Sequence, residues 1–543
     1  MKRNLFRGVL LALGLLWAGA SATAQTPVFK DGKYNPPLTL TFEIVQGAGT
    51  KFKPGEDYNN NVMSRWALEN FGIKFQVAWT APTGEALTNK LRLMLASGEA
   101  FPDVMRVNDV NVTKDLIESK KAKDITDEFN KYATPRLKEI YTKYPEALYQ
   151  VKKNGRMYGL PVLTSGNVSD ELMWIRQDWL DKVGMKAPTT IAELEKVMDA
   201  FMTKDPGGNG KGKTLGVSIG AKNALATWMS STGFLIGSFG GVMAHDNGWG
   251  LAADGKTLAY KAIQPEMKKV LAKLNEWKNK GYIDPQFALM DESKASESFV
   301  QGKSGIIFGP PWMIEWPFGD LKKLNPDAQP KPFPVPAGAD GSRGRFGEGM
   351  TQGTTIFSPD FKGVEGYLKM LDRWYGSHVA YGDAEFQYGM FEGYDYQMVD
   401  GKPVIDSTNF IDPSMYFPGL ENYPSIAFIE YNIYEYLWQG GKPRNLAEKT
   451  LLAKTAPEKL QGGAIINSQN KYNMPNLFSG APTATMSKKG EYLRKLEQDT
   501  FAQIIYGSKP VAYFDEFVKQ WKANGGDAVT KEANDWYKSV SAK

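Results

Sequence analysis

Gly207-Gly-Asn-Gly-Lys-Gly-Lys-Thr214 spells the phosphate-loop pattern, Gly, four residues, Gly-Lys-Thr. Such a loop holds phosphates only when a strand precedes it and a helix follows, so that the helix N-terminus faces the anion. Here a helix and Lys204-Asp205-Pro206 come first and the strand-like Leu215–Ile219 comes after. The order is reversed, and nucleotide binding is not expected. Gly216-Val-Ser218-Ile-Gly220 spells the nucleophile elbow, which needs its serine on a tight turn between strand and helix. Ser218 sits inside an apolar segment, where a small strand residue is the simpler reading. His245 and His378 are the chain's two histidines, too few for a histidine-rich metal site. Asp205, Asn209 and the Lys211 carbonyl match positions one, five and seven of a calcium loop, but Gly207 stands at three and Lys213 at nine. The chain has no cysteine, which removes disulfides, thiolate metal sites and thiol nucleophiles. Carboxylates are plentiful, and no pair is marked as an acid–base couple for glycoside hydrolysis. The chain is instead rich in flat rings, with 14 Trp and 25 Tyr. Those rings serve equally for a large core or for the lining of a cleft.

The segments that must position these residues alternate in type. Leu38–Val45 reads as a strand, Asn61–Phe71 as a helix stopped by Gly72, and Ile73–Ala78 as a strand. Thr88–Ser97 reads as a helix stopped by Gly98, and Asp103–Val107 as a strand. This β-α-β-α-β order predicts a mostly parallel sheet covered by helices. Trp174–Arg176 and Gly305–Gly309 are strand-like. Thr190-Ile-Ala-Glu193 is a capping box opening a helix, and Pro265–Lys280 is a further helix. Lys331–Gly353 is rich in Pro and Gly and is the expected crossing between lobes. The C-terminal third reads as helical.

Residues 1–24 read as a secretory signal peptide cut after Ala24. A basic start is followed by the apolar run Val9–Ala18 and by Ala22-Thr-Ala24. The run is about ten residues, against the roughly 20 that a membrane span requires. Without Lys2, Arg3 and Arg7 the formal net charge falls from +5 to +2. No basic cluster with interleaved aromatics offers a nucleic acid a footing. The remainder exceeds one ordinary core and predicts two lobes. An exported chain with no cysteine to lipidate is best retained in a periplasm, which is the expected location. No stable membrane insertion and a monomer are expected.

Several motifs in order are similar to those of the family 1 extracellular solute-binding proteins of carbohydrate ABC importers, in the long branch with lipoprotein-type and alginate-binding members. They are Leu91-Arg-Leu-Met-Leu-Ala-Ser-Gly98 with Pro102-Asp-Val104, Asn154-Gly-Arg-Met-Tyr-Gly-Leu-Pro161, and Ile175-Arg-Gln-Asp-Trp-Leu-Asp-Lys-Val-Gly184. Gly309-Pro-Pro-Trp312 follows, and a C-terminal block includes Phe514-Asp-Glu-Phe-Val518 and Asn534-Asp-Trp-Tyr537. The resemblance implies an α/β, periplasmic-binding-protein type II-like fold, two discontinuous lobes around a ligand cleft. Lobe 1 is expected from 25–160 plus about 350–400, and lobe 2 from 161–349 plus about 401–543. It implies a carbohydrate ligand, ABC importer permease subunits as partners, and no enzyme activity. Cofactors are not expected; calcium at Asp205 and Asn209, carried by relatives with a fuller loop, is the disfavoured alternative.

A sugar offers a C–H face to Trp and Tyr and a hydroxyl rim to Asn, Asp, Glu and Arg. The resemblance puts Trp312 on the sugar face and Glu392 and Tyr394 on a loop facing the cleft. Trp228 is a second stacker, with Trp174, Trp316 and Trp438 ranked below. Ligands gather at the carboxyl ends of strands in α/β lobes, which selects Tyr58, Asn59, Asn60, Arg106 and Asn108. Turn-forming and N-capping are the competing roles for the asparagines. Arg176 lies on the signature strand, with an ion pair to Asp178 as its competing role. Two other functions fit the same residues: a secreted glycoside hydrolase or polysaccharide lyase, and a sugar-sensing subunit for a membrane receptor.

Overall fold

The structure, a computed structural model, describes residues 26–541 apart from 48–49, 167–168, 241–247, 347–348 and 405–410. The leader, its cut after Ala24, and His245 lie outside the described residues. Strands are numbered β1 (Leu38–Val45), β2 (Ile73–Ala81), β3 (Val104–Val107), β4 (Leu160–Leu163), β5 (Leu172–Arg176), β6 (Ile306–Gly309), β7 (Pro330–Phe333) and β8 (Thr351–Phe357). Helices used below are α1 (Val62–Phe71), α2 (Gly84–Ser97), α3 (Val110–Glu118), α4 (Val364–Tyr375), α5 (Glu430–Trp438), α6 (Pro457–Ser468) and α7 (Asp527–Ser541).

The chain winds β1, β2 and β3 into a parallel sheet through α1 and α2. It adds β4, leaves to build a second sheet, and returns as β8. The first sheet has the order β2-β1-β3-β8-β4, with β8 antiparallel to β3 and β4. Helices α1 and α2 end where the sequence supplies glycine, at Gly72 and Gly98. Gly72 after α1 has φ +64, and a Cβ there would sit 2.3 Å from the Tyr34 carbonyl oxygen. Only glycine fits both the left-handed turn and that close approach.

The second sheet has the order β6-β5-β7, with both neighbours antiparallel to β5. Alternate side chains of a strand face opposite sides. Met173 and Ile175 enter one core with Ile306 and Phe308, while Leu172 and Trp174 enter another with Ile307. Both faces are covered, so these strands are apolar throughout rather than alternating. Leu215 and Ser218 add parallel bridges to Ser304 and Ile307, so Leu215–Ile219 lies along the sheet as expected.

The core on the first sheet takes in Phe357, Phe361 and the inner face of α4. It also takes in Tyr416, Phe417, Leu420 and Ile426, so the chain leaves lobe 1 near residue 430 rather than near 400. Beyond it, Tyr431, Tyr434, Leu460 and Ile466 join one core of the second sheet and Leu493, Phe501, Ile504 and Trp521 the other.

Candidate ligand-binding cleft

The segments passing between the sheets lie side by side. Thr164 N–H donates to the Met350 carbonyl at 2.9 Å, and its hydroxyl to the Gly349 carbonyl at 2.9 Å. Phe428 N–H donates to the Ser165 carbonyl at 2.7 Å. Beside them Arg345 of the second crossing is ion-paired with Asp170 of the first, both side chains wholly buried. Arg345 also donates to Asn470 Oδ1 at 3.0 Å, which supplies a polar partner that such a buried pair needs.

These crossings fix which sheet ends face the cleft. Thr351 of β8 pairs with Leu163 of β4 at the first crossing, and Thr354 pairs with Val107, the carboxyl end of β3. In the second sheet Gly309, the carboxyl end of β6, pairs with Leu172, the first strand residue after that crossing. The parallel strands of the first sheet and β6 of the second therefore turn their carboxyl ends toward the hinge, where ligands of α/β lobes gather.

On lobe 2 that end carries tryptophan. Pro310 and Pro311 follow β6, and proline removes the backbone donor a continuing ladder needs. The short 3-10 turn Pro311–Ile314 starts instead and presents Trp312 and Trp316. Trp228 joins them because Ser230 N–H donates to the Phe308 carbonyl of β6 at 2.8 Å. The three indoles are near-parallel, with centroids 5.7, 6.1 and 6.2 Å apart and interplanar angles of 28°, 21° and 17°. Trp228 and Trp312 are half-buried, and Trp316 is 47% exposed. The expected pair is thus assembled with Trp316, which sequence ranked below them; its four-residue spacing from Trp312 was the signal. Trp174 is buried, donating its indole N–H to the Pro310 carbonyl at 3.2 Å, and so supports the turn from behind.

On lobe 1 a cavity of about 720 Å³ lies at the ends of β2, β3 and β8, with Glu85, Asn89, Arg92, Asn108 and Gln352 in its wall. The chain approaches closely here: Gly353 has φ +80, and a Cβ would meet the Val107 carbonyl oxygen at 2.6 Å. Asn108 is exposed in this wall, while Arg106 is buried beneath it. Arg106 donates to Asn108 Oδ1 at 2.8 Å, to the Leu420 carbonyl at 3.3 Å and to the Gln352 carbonyl. It is a positioning residue, since its guanidinium is committed to holding the wall. Its backbone N–H donates to Glu43 Oε1 at 2.5 Å. Glu43 is wholly buried, and burial followed by the neighbouring Glu421 pushes its carboxyl well up. Burial pushes Glu421 up to about 7. This carboxyl pair lies within the lobe, with Glu43 wholly buried.

The remaining candidates do not line that cavity. Tyr58 is buried in the lobe 1 core, edge-on to Phe52 at 4.9 Å. Asn59 accepts from Val77 N–H of β2 at 2.7 Å, and Asn60 accepts from Arg65 at 3.2 Å. Their own N–H groups donate to Asp57 Oδ1 at 2.7 and 2.9 Å, the turn-forming role that competed with ligand binding. Tyr394 is buried, with Lys53 3.8 Å from its ring centroid and its hydroxyl on Glu56 and Arg65. Burial and the Glu56 carboxylate push its phenol up to about 12. Glu392 is exposed on the same loop and bridges to Tyr396. Arg176 grips Asp178 with two hydrogen bonds of 2.8 and 2.6 Å and is 1% exposed. It lies at the end of β5 away from Leu172, so it cannot join the tryptophans.

The patterned motifs resolve into structure. Ser218 donates to the Ala295 carbonyl at 2.5 Å and is buried in lobe 2, whereas His378 follows α4 in lobe 1. Asp205 accepts from Thr214 Oγ1 at 2.5 Å, Gly210 N–H at 2.7 Å and Asn209 N–H at 3.1 Å. The Thr214 and Gly210 bonds hold its carboxyl below the usual range. Its lone pairs serve the loop's own donors, and with Lys213 at the ninth position the donor set does not fit calcium.

The family model described as bacterial extracellular solute-binding protein matches residues 54–360, more than half of the chain. The chain is similar to the polygalacturonan/rhamnogalacturonan-binding protein YtcQ of Bacillus subtilis, 24% identical over 543 residues and covering 98% of each protein. Among solved structures it is similar to the alginate-binding protein AlgQ2, with 18% identity, a TM-score of 0.59, and 93% and 98% of the two chains covered. An HMO-binding ABC-transporter-associated solute-binding protein of Bifidobacterium longum infantis superimposes with a TM-score of 0.63 at 19% identity, over 93% of this chain and 100% of that one.

Proposed function

Because the chain belongs to the bacterial extracellular solute-binding proteins and has their two-lobed, periplasmic-binding-protein type II-like fold, we propose that it captures an oligosaccharide between its lobes and presents it to an ABC importer. The observation that carries the reading is the near-parallel group of Trp228, Trp312 and Trp316 at the hinge-facing end of β6. Such a surface suits the C–H faces of successive sugar rings, and an isolated ring would suit only one. The relatives' names carry the same theme of sugar chains: polygalacturonan, alginate and HMO.

In this reading the indoles stack on the sugar from lobe 2. Asn89, Asn108 and Gln352 offer amide hydrogen bonds from lobe 1. Arg106 holds Asn108 and Gln352 in place. The ligand contacts both lobes only when they are closed, and that difference in affinity shifts the population toward closure. Closure creates the outer surface that a permease pair reads. The protein works outside the cytoplasm, in the periplasm, as a monomer and without catalysis.

The test is a thermal-shift screen of the protein against neutral and acidic mono- and oligosaccharides, with product analysis after long incubation. A ligand of the native state raises apparent stability, by about 2.7 kcal/mol at one hundred times its dissociation constant. A shift with an oligosaccharide and intact sugar afterwards supports the proposal. Cleaved product overturns the receptor reading, and silence across the panel overturns the sugar reading.

A further inference from the structure

The groove of lobe 1 does not end at the cavity described above. A second cavity, of about 410 Å³, shares Val110 and Gln150 with the first in its wall. Both lobes line it. From lobe 1 come α3 and Tyr149–Lys153; from lobe 2 come Gly480–Thr483 and Trp536 of α7. Tyr149 and Trp536 meet edge-to-face across it, with centroids 5.9 Å apart and planes at 80°. Trp536 is backed by Phe478 at 4.6 Å.

The two cavities differ in charge. The inner wall holds Glu85 and an Arg92–Asp109 ion pair at 2.7 Å, so its cation is already matched and one carboxylate is left over. The outer wall holds Lys114, Lys152 and Lys153 against Glu118. Lys153 meets Glu118 loosely, at 3.8 Å. Among the described residues Lys114 and Lys152 have no carboxylate within ion-pair distance. Cations left unmatched in a cleft between low-dielectric walls focus a positive potential there.

We propose that this outer cavity is an anion subsite, which takes a negatively charged sugar unit of the bound chain while the inner groove takes its neutral hydroxyls. The inference rests on the oligosaccharide reading and adds the charge of the ligand and its direction in the cleft. The carboxylate of a uronate is the ligand group. It receives charge-assisted hydrogen bonds from the lysine ammoniums. The ring bearing it packs on Trp536. Lysines and Trp536 come from different lobes, so an occupied subsite ties the lobes together at the mouth as the indole group does near the hinge.

Calorimetric titration of the mature protein with oligogalacturonides, and with the same oligomers methyl-esterified, isolates the charge. A glycan panel of neutral oligosaccharides runs beside it. The acid form is expected to bind at least about tenfold tighter than the ester, the effect of roughly one charge-assisted contact. That advantage should shrink between low and high salt as the lysines are screened. The double variant Lys114→Gln/Lys152→Gln, at exposed positions, should lose the discrimination and its salt dependence. Ester bound as tightly as acid, discrimination retained in the variant, or binding confined to the neutral panel each overturns the subsite and leaves the sugar receptor intact. No binding in any arm overturns both.

Discussion

Trp312 and Trp316 show how a local pattern becomes a surface. A strand, two prolines and a 3-10 turn place both indoles beside Trp228. Trp316→Ala is expected to weaken oligosaccharide binding by about 2 kcal/mol, some thirtyfold, as buried aromatic anchors do. Because Trp316 is 47% exposed, the melting temperature of the unliganded protein should hardly move. Calorimetry and thermal melts on the one variant separate the two effects. Arg176 gives the opposite signature. Its guanidinium is 1% exposed and grips Asp178, so Arg176→Gln strands a largely buried carboxylate. A loss of about 3 kcal/mol in urea unfolding is expected, with sugar affinity unchanged. Reduced affinity without loss of stability would place Arg176 at the ligand instead.

The link between β1, β3 and the segment 417–421 carries a pH dependence. Thr355 of β8 donates to the Gly419 carbonyl at 2.7 Å, and Arg106 reaches the Leu420 carbonyl. Glu421 thus sits beside Glu43, with Arg106 the charged group facing both. With its folded pKa raised to about 7, Glu421 binds its proton more tightly folded than unfolded. Its contribution is complete at pH below the unfolded carboxylate range and is lost as pH climbs toward and through about 7. Glu421→Gln keeps the shape without the charge. Its melting temperature should match the parent's near pH 4 and exceed it near pH 8. Parallel pH profiles for the two proteins would show that the pair does not titrate with folding.

In the proposed function, closure of the two lobes is the main response to ligand. The crossings at 164–165, 349–350 and 428 are tied by backbone hydrogen bonds, and Asp170–Arg345 is buried among them. They form a narrow, well-bonded hinge between two separately packed cores. Small-angle scattering should record a smaller radius of gyration when a bound oligosaccharide is added. Asp170→Asn removes the charge partner of Arg345 at that hinge. It is expected to lower stability and to alter the size of the compaction, while Trp316→Ala should alter only the sugar concentration at which compaction appears.

Much of this molecule follows from short-range order. Helices end at Gly72 and Gly98 because only glycine enters the left-handed region without strain. The apolar run Leu172-Met-Trp-Ile175 demands cover on both faces, and the order of the motifs identified the family. The family resemblance singles out Trp312, with Trp228 as a second stacker, but that the two lie side by side is decided by the fold. Other choices depended on which distant partner reached a side chain first. Asp178 took Arg176, Leu420 and Gln352 took Arg106, Glu56 took Tyr394, and Asp57 and Val77 took Asn59. A polar side chain with a strong partner inside the fold is spent there, since burying it unpaired costs more than most ligands return. The return of residues 411–426 to the first core was equally invisible, because apolar residues such as Tyr416 and Phe417 fit either lobe until chain connectivity and packing select one. The pairing of Tyr149 with Trp536, far apart along the chain, exists only because two lobes meet.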